Sequence, residues 1–189
     1  MKVACFAGYS NCGKTTLIEQ IIPLLRQQGL RVSVVKHAHH RFDIDHPGKD
    51  SHRHREAGAF EVVIASDRRL ALVREFEQPQ QLSVHHLLAE LHDGVDWVLV
   101  EGFRESDLLK VEVWRAPQAG QDARPVRYPE DDFVVAVATD TPDLFPVPTG
   151  LPVLDLNQPV QVAQWLLAQG ERFEYDWELH GGLLPCAPR

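Results

Sequence analysis

The residues Gly8-Tyr9-Ser10-Asn11-Cys12-Gly13-Lys14-Thr15-Thr16 carry the clearest chemistry in the chain. Their spacing is G-x-x-x-x-G-K-[ST], a turn that holds phosphate oxygens on inward-facing backbone N–H groups and on the start of the following helix. In such a loop the lysine reaches the β- and γ-phosphates and the first threonine hydroxyl ligates Mg²⁺, roles that fall here to Lys14 and Thr15. Asn11 stands where small residues are common, and Asn accepts a left-handed backbone better than most non-glycine types. Cys12 is close to a helix N-terminus, which lowers a thiol pKa. No His or Cys is paired with it, so it reads as a packing residue.

A nucleotide-Mg²⁺ site also needs an acidic group, and Asp96-Trp97-Val98-Leu99-Val100-Glu101-Gly102 offers two. Ligands of open parallel sheets sit beyond the carboxyl ends of the strands. Glu101 ends the apolar run and Asp96 opens it, so Glu101 is the expected partner of Mg²⁺ or its water. The segment from Lys36 to Ser51 leaves a second strand end. Asp43 or Asp45 could serve Mg²⁺ there, and Lys36 or Lys49 could meet phosphate. Six of the ten histidines (37, 39, 40, 46, 52 and 54) crowd into residues 37–54. Their spacing is not the i, i+4 pair of zinc enzymes, so solvated loop histidines are the plainer reading. The N-K-x-D signature of many guanine-nucleotide proteins is absent. Asp140, just past a buried strand, could accept both N1–H and N2–H of guanine, or could simply form the turn before Thr141-Pro142.

Strands must position these groups. Apolar patterning predicts strands at Val3–Ala7, Arg31–Lys36, Trp97–Val100, Lys110–Trp114, Phe133–Ala138 and Val153–Leu156. Helices are expected at Thr15–Gln28, bent or short of one hydrogen bond at Pro23, and at Ser51–Ala57, Leu82–His92 and Val160–Ala168. Glu61–Ala65 and Leu70–Arg74 read as a hairpin that adds antiparallel strands at a sheet edge. Residues 116–131 are the expected mobile loop. The alternation of strands and helices predicts an α/β three-layer fold with a mostly parallel sheet. Residues 1–169 then make a phosphate-loop nucleotide domain, with 170–189 a tail of open role that either docks through Phe173, Tyr175 and Trp177 or stays loose.

The 189 residues suit one domain, and 19 Lys+Arg against 27 Asp+Glu leave a net charge of −8. An acidic chain has no general grip on nucleic acid or an anionic membrane, so a phosphate ligand must be held by a local device. Cys5, Cys12 and Cys186 are too few and too scattered for a disulfide framework or a thiolate zinc site. The apolar start is short, lacks a cleavage pattern and reads as a strand, and no run reaches membrane-spanning length. A soluble cytoplasmic protein is the expectation.

The phosphate loop, Lys36-His37-Ala38-His39-His40, Asp43-Ile44-Asp45, Pro47-Gly48-Lys49-Asp50-Ser51, Ala57-Gly58-Ala59 and Val100-Glu101-Gly102-Phe103 occur in one ordered set. Together they resemble the molybdopterin-guanine dinucleotide biosynthesis protein B (MobB) family, over residues 1 to about 168. The resemblance implies a GTP-binding P-loop NTPase-type fold, a homodimer built partly through β-structure, and weak GTP hydrolysis. It implies an accessory role beside the guanylyltransferase that joins GMP to molybdopterin, and beside other molybdenum-cofactor enzymes. By position, Gly8, Tyr9, Ser10, Asn11, Cys12, Gly13, Lys14, Thr15 and Thr16 bind phosphate, Thr15 and Glu101 serve Mg²⁺, and Asp140 lies near the base. Asn11 departs from the glycine usual at its place. Slow hydrolysis also fits the residues, because no Gln or Arg is assigned by motif to the attacking water; Arg104 is the nearest candidate. Two other readings use the same loop: a metallochaperone GTPase carrying nickel or zinc on its histidine segment, and a small-molecule kinase.

Overall fold

The structure is a computed structural model that describes residues 1–38 and 42–181. It divides into two compact units, residues 38–82 and the rest of the chain. The larger unit is built on six strands: β1 (Lys2–Ala7), β2 (Val32–Lys36), β5 (Trp97–Glu101), β6 (Lys110–Val113), β7 (Val134–Thr139) and β8 (Val153–Asp155). All pair in parallel, in the order β2-β5-β1-β6-β7-β8. Parallel neighbours need crossovers: α1 (Lys14–Gln27) links β1 to β2 and α3 (Val84–Ala89) precedes β5, while α4 (Pro159–Ala168) follows the last strand.

Strand alternation divides the core between the two faces of the sheet. From β1, Ala4 and Phe6 join Leu17, Ile18, Ile21 and Leu25 of α1 and Val162, Ala163 and Leu166 of α4. Val3, Cys5 and Ala7 join Val84 and Leu88 of α3 on the other face. These are the three layers expected from the sequence. α1 stays a single helix through Pro23. α3 is shorter than the periodicity predicts, beginning where Ser83 accepts a hydrogen bond from the His86 N–H at 3.3 Å.

The segment after α4 docks on this core. Phe173 is buried between the rings of Trp97 and Trp165, at centroid separations of 5.8 and 6.0 Å. Tyr175 is buried in the opposite face, its N–H donating to the Met1 carbonyl at 2.9 Å. Trp177 opens the short helix α5 (Trp177–Gly181) and stays exposed.

Two sequence expectations are corrected. The hairpin of β3 (Glu61–Ala65) and β4 (Leu70–Arg74) does not extend an edge of the parallel sheet but forms a separate two-stranded sheet. Its completion comes from within its own unit, where Arg55 of α2 (Asp50–Glu56) binds Glu75 just past β4 at 2.7 Å. The loop at 116–131 is not free along its length. The buried Glu112 carboxylate accepts the N–H of Arg127 at 2.9 Å and of Tyr128 at 3.1 Å, and Trp114 Nε1 donates to the Arg124 carbonyl at 2.8 Å. Those contacts satisfy backbone groups that a mobile loop would leave to water.

Candidate nucleotide-binding site

The strand register gathers the site. Phe6 lies beside Glu101, Lys36 beside Glu101, and Ala7 beside Glu112, so the carboxyl ends of β2, β5, β1 and β6 are level. The chain turns at the end of β1 through Gly8, whose φ is +148° and where a Cβ would stand 2.1 Å from the Val113 carbonyl oxygen. Only glycine fits between these two strands. Asn11 takes the left-handed conformation (φ 63°), as its side chain permits, and Gly13 caps α1 at φ 97°. Cys12 is fully buried, with its thiol facing the Arg124 guanidinium at 3.6 Å, so the packing reading of this cysteine holds. Tyr9 packs on the core while Ser10 and Thr16 are exposed.

Lys14 Nζ donates to the carbonyls of Gly8 and Tyr9 at 2.9 and 2.7 Å. Burial lowers its pKa below the ordinary lysine value, with Lys36 acting in the same direction and Glu101 against it. Thr15 Oγ1 donates to Glu101 Oε1 at 2.7 Å, and Lys36 Nζ stands 3.3 Å from that same oxygen. Three elements that are far apart in the chain thus meet at one carboxylate, whose side chain is only 11% exposed. Asp96, at the opposite end of β5, accepts the Arg31 N–H at 2.7 Å, so of the two carboxylates only Glu101 stands at the loop.

Asp140 follows β7 directly. Its Oδ2 is 3.0 Å from Arg115 Nε, and its Oδ1 is buried without a hydrogen-bond partner among the described residues. The turn at this point is closed by Thr139 Oγ1, which accepts the Thr141 N–H at 3.1 Å, so Asp140 is not used for it. Arg115 leans on Gly13 and lines a cleft of about 320 Å³ with Thr16, Gln20, Leu156 and Asn157. Motif reading overlooked Arg115 and Asn157. Their signal was position, because each lies one or two residues past a strand's carboxyl end.

Asp45 and Lys49 belong to the smaller unit. Asp45 there accepts the Ser51 hydroxyl at 2.8 Å and the His46 N–H at 2.9 Å, and pairs with Arg55 at 3.2 Å. Against burial, these contacts hold its carboxyl below the ordinary value. Asp43 pairs with the same guanidinium at 3.1 Å. Lys49 precedes α2. His39 and His40 lie outside the described residues, and among those described the 37–54 segment assembles no three-ligand group. Arg104 pairs with its neighbour Glu105 at 3.1 Å. No helix among the described residues is long and apolar enough to cross a membrane.

This arrangement can be set against known proteins. The profile of the family described as "Molybdopterin guanine dinucleotide synthesis protein B" matches residues 3–140. The chain is 36% identical over 163 residues to the molybdopterin-guanine dinucleotide biosynthesis adapter protein of Escherichia coli strain K12, covering 86% of this chain and 89% of that one. It is 40% identical over 162 residues to the protein of that name from Haemophilus influenzae, covering 84% of each. Among solved structures, Bacillus subtilis MobB superposes with a TM-score of 0.66 at 25% identity, covering 89% of this chain and 98% of that one. With the Gly8–Thr16 loop, the level strand ends and the six-stranded order in place, the chain belongs to the MobB family.

Proposed function

We propose that this chain is a GTP-binding adapter in molybdopterin-guanine dinucleotide biosynthesis, working beside the guanylyltransferase and hydrolysing GTP slowly. The observation that carries the nucleotide reading is the meeting of Thr15, Glu101 and Lys36 at the mouth of the Gly8–Thr16 loop. The donor set fits Mg²⁺. Thr15 and Glu101 present hard oxygens 2.7 Å apart, and adjacent ligands of an octahedral Mg²⁺ lie about 2.9 Å apart. When bound, Mg²⁺ neutralises phosphate charge. Lys14 exchanges its carbonyl contacts for phosphate oxygens, while the loop N–H groups and the start of α1 supply the rest of the anion site. Thr15 and Glu101 hold the cation side of the ligand, and Lys36 keeps the Glu101 carboxylate in place.

Asp140 serves guanine recognition in this reading, supported by a buried Oδ1 that has no hydrogen-bond partner among the described residues. The open cleft beside Gly13 and Arg115 offers space for the base. The adapter role is supported by the coverage of the two bacterial relatives of that name. Dimer formation is supported by the hairpin, on which Val63, Leu70 and Leu72 share one strongly exposed apolar face.

Calorimetric titration tests the reading. Wild-type protein should bind GTP in the presence of Mg²⁺ and discriminate against ATP. Lys14→Ala should abolish binding, and Asp140→Ala should erase the discrimination. Equal affinity for ATP and GTP in the wild type overturns the guanine assignment.

A further inference from the structure

His85, Asp107 and His180 come from three elements that the nucleotide reading does not use. His85 lies on α3, Asp107 in the connection from β5 to β6, and His180 on α5, beyond the residues matched by the family profile. Their ligand atoms all lie within 4.8 Å of one another. His85 Nε2 is 2.8 Å from Asp107 Oδ1, and His180 Nδ1 is 3.3 Å from Asp107 Oδ2. The two imidazoles stack at 4.6 Å with an interplanar angle of 10°.

We propose that these three side chains form a site for one borderline divalent transition-metal ion, represented by Zn²⁺, which clips α5 to α3 and to the β5–β6 connection. Two imidazoles and one carboxylate are the donor set such ions prefer over Mg²⁺ or Ca²⁺. Metal–ligand distances of about 2.0–2.2 Å in a tetrahedral site put ligand atoms about 3.3 Å apart. Reaching that from the present spacing takes side-chain rotation and no movement of the sheet. The surroundings suit the role. His85 is 8% exposed and His180 15%, so the imidazoles are held by packing, while Asp107 at 38% leaves an open side for entry and for a water as fourth ligand.

Tyr175 supplies the orientation that metal-bound histidines require. Its hydroxyl is 2.7 Å from His85 Nδ1. A metal on Nε2 selects the neutral tautomer protonated at Nδ1, and that N–H then donates to Tyr175 Oη. An ion here joins α5 to the face of the core that Tyr175 enters, a cross-link between His85 and His180, about 95 residues apart.

The test uses tag-free, chelator-stripped full-length protein titrated with Zn²⁺ alone by calorimetry, and with Co²⁺ followed by visible absorption. One ion per chain is expected, with the intense bands of tetrahedral Co²⁺ and a rise in Tm on adding Zn²⁺. His180→Ala should weaken binding by about 100-fold or more and Tyr175→Phe by about 10–100-fold, with the Tm rise lost in the former. His180 lies in the five-residue helix α5, so that variant should keep its far-UV circular dichroism. A variant lacking His37, His39 and His40 should bind as the wild type does. Absence of micromolar Zn²⁺ binding, or binding unchanged in His180→Ala and lost in the His37/His39/His40 variant, overturns the proposal.

Discussion

Replacing Gly8 by alanine probes a close approach of two strand backbones. A Cβ there meets the Val113 carbonyl oxygen at 2.1 Å and its carbon at 3.2 Å, both backbone atoms of β6 that no rotamer can move aside. Ordinary contact requires more than 3 Å, so β1 and β6 must separate by about 1 Å. Forcing atoms into a packed interior costs about 1–3 kcal/mol. Holding an L-residue at φ +148° adds about 1–3 kcal/mol of strain. Gly29 provides the matched control. Its φ is +78° and a Cβ there would meet nothing within 4 Å among the described residues, so Gly29→Ala carries only the left-handed strain of about 1–2 kcal/mol.

Urea unfolding of the two variants separates clash from strain. Gly8→Ala should lose about 2 kcal/mol more than Gly29→Ala, which at a slope of about 2 kcal/mol/M moves the midpoint by about 1 M. GTP affinity should fall in Gly8→Ala, because the shift is absorbed by the loop that follows, and stay unchanged in Gly29→Ala. Equal midpoints for the two variants would refute the close packing of β1 against β6 and the reason given for glycine at this position.

Phe173→Ala removes a ring wedged between Trp97 and Trp165 and should cost about 3–5 kcal/mol in urea unfolding; a loss below about 1 kcal/mol means the segment after α4 is not docked. Glu112→Gln should cost about 1–3 kcal/mol and speed proteolysis within 116–131, since an amide cannot accept both N–H groups as a carboxylate does. Burial raises the Glu112 pKa above 4.5 despite those two hydrogen bonds. The folded state therefore holds the Glu112 proton more tightly than the unfolded chain does, and the stability this adds is fully present below pH 4.5 and lost as pH rises through the raised value, so wild-type stability relative to Glu112→Gln should fall across that interval. A parallel pair of pH–stability curves would contradict it. The double change Leu70→Lys/Leu72→Lys on the exposed hairpin face should convert a dimer into a monomer in light scattering; an unchanged mass removes the hairpin from the interface.

The strand ends show why some of the site was legible and some was not. Glu101 was separable from Asp96 because both sit on one apolar strand, and direction along a strand decides which end faces a ligand. The loop Gly8–Thr16 was legible because its glycines encode local backbone conformations. Arg115 was not, since nothing in its neighbours announces Asp140, 25 residues on and across the β6–β7 pair. The hairpin was recognised as a hairpin by alternation, but alternation is silent on which sheet, if any, accepts it. Residues 116–131 read as mobile from composition, and the contacts that hold them come from Glu112 and Trp114, which composition does not weigh.

Taken alone, the sequence determined the glycine-bounded turn at Gly8–Thr16, the alternation of strands and helices and the ordered motifs of the MobB family, because each depends on residues within a few positions of one another. The tertiary structure decided the order β2-β5-β1-β6-β7-β8, and with it which distant side chains share a site. Glu101 reaches Thr15 only because β5 lies beside β1, and Arg115 meets Asp140 only because β6 lies beside β7. His180 finds His85 and Asp107 because Phe173 and Tyr175 anchor the chain on the way. Local periodicity fixes a residue's face and end, whereas its partner depends on packing choices summed over the whole core.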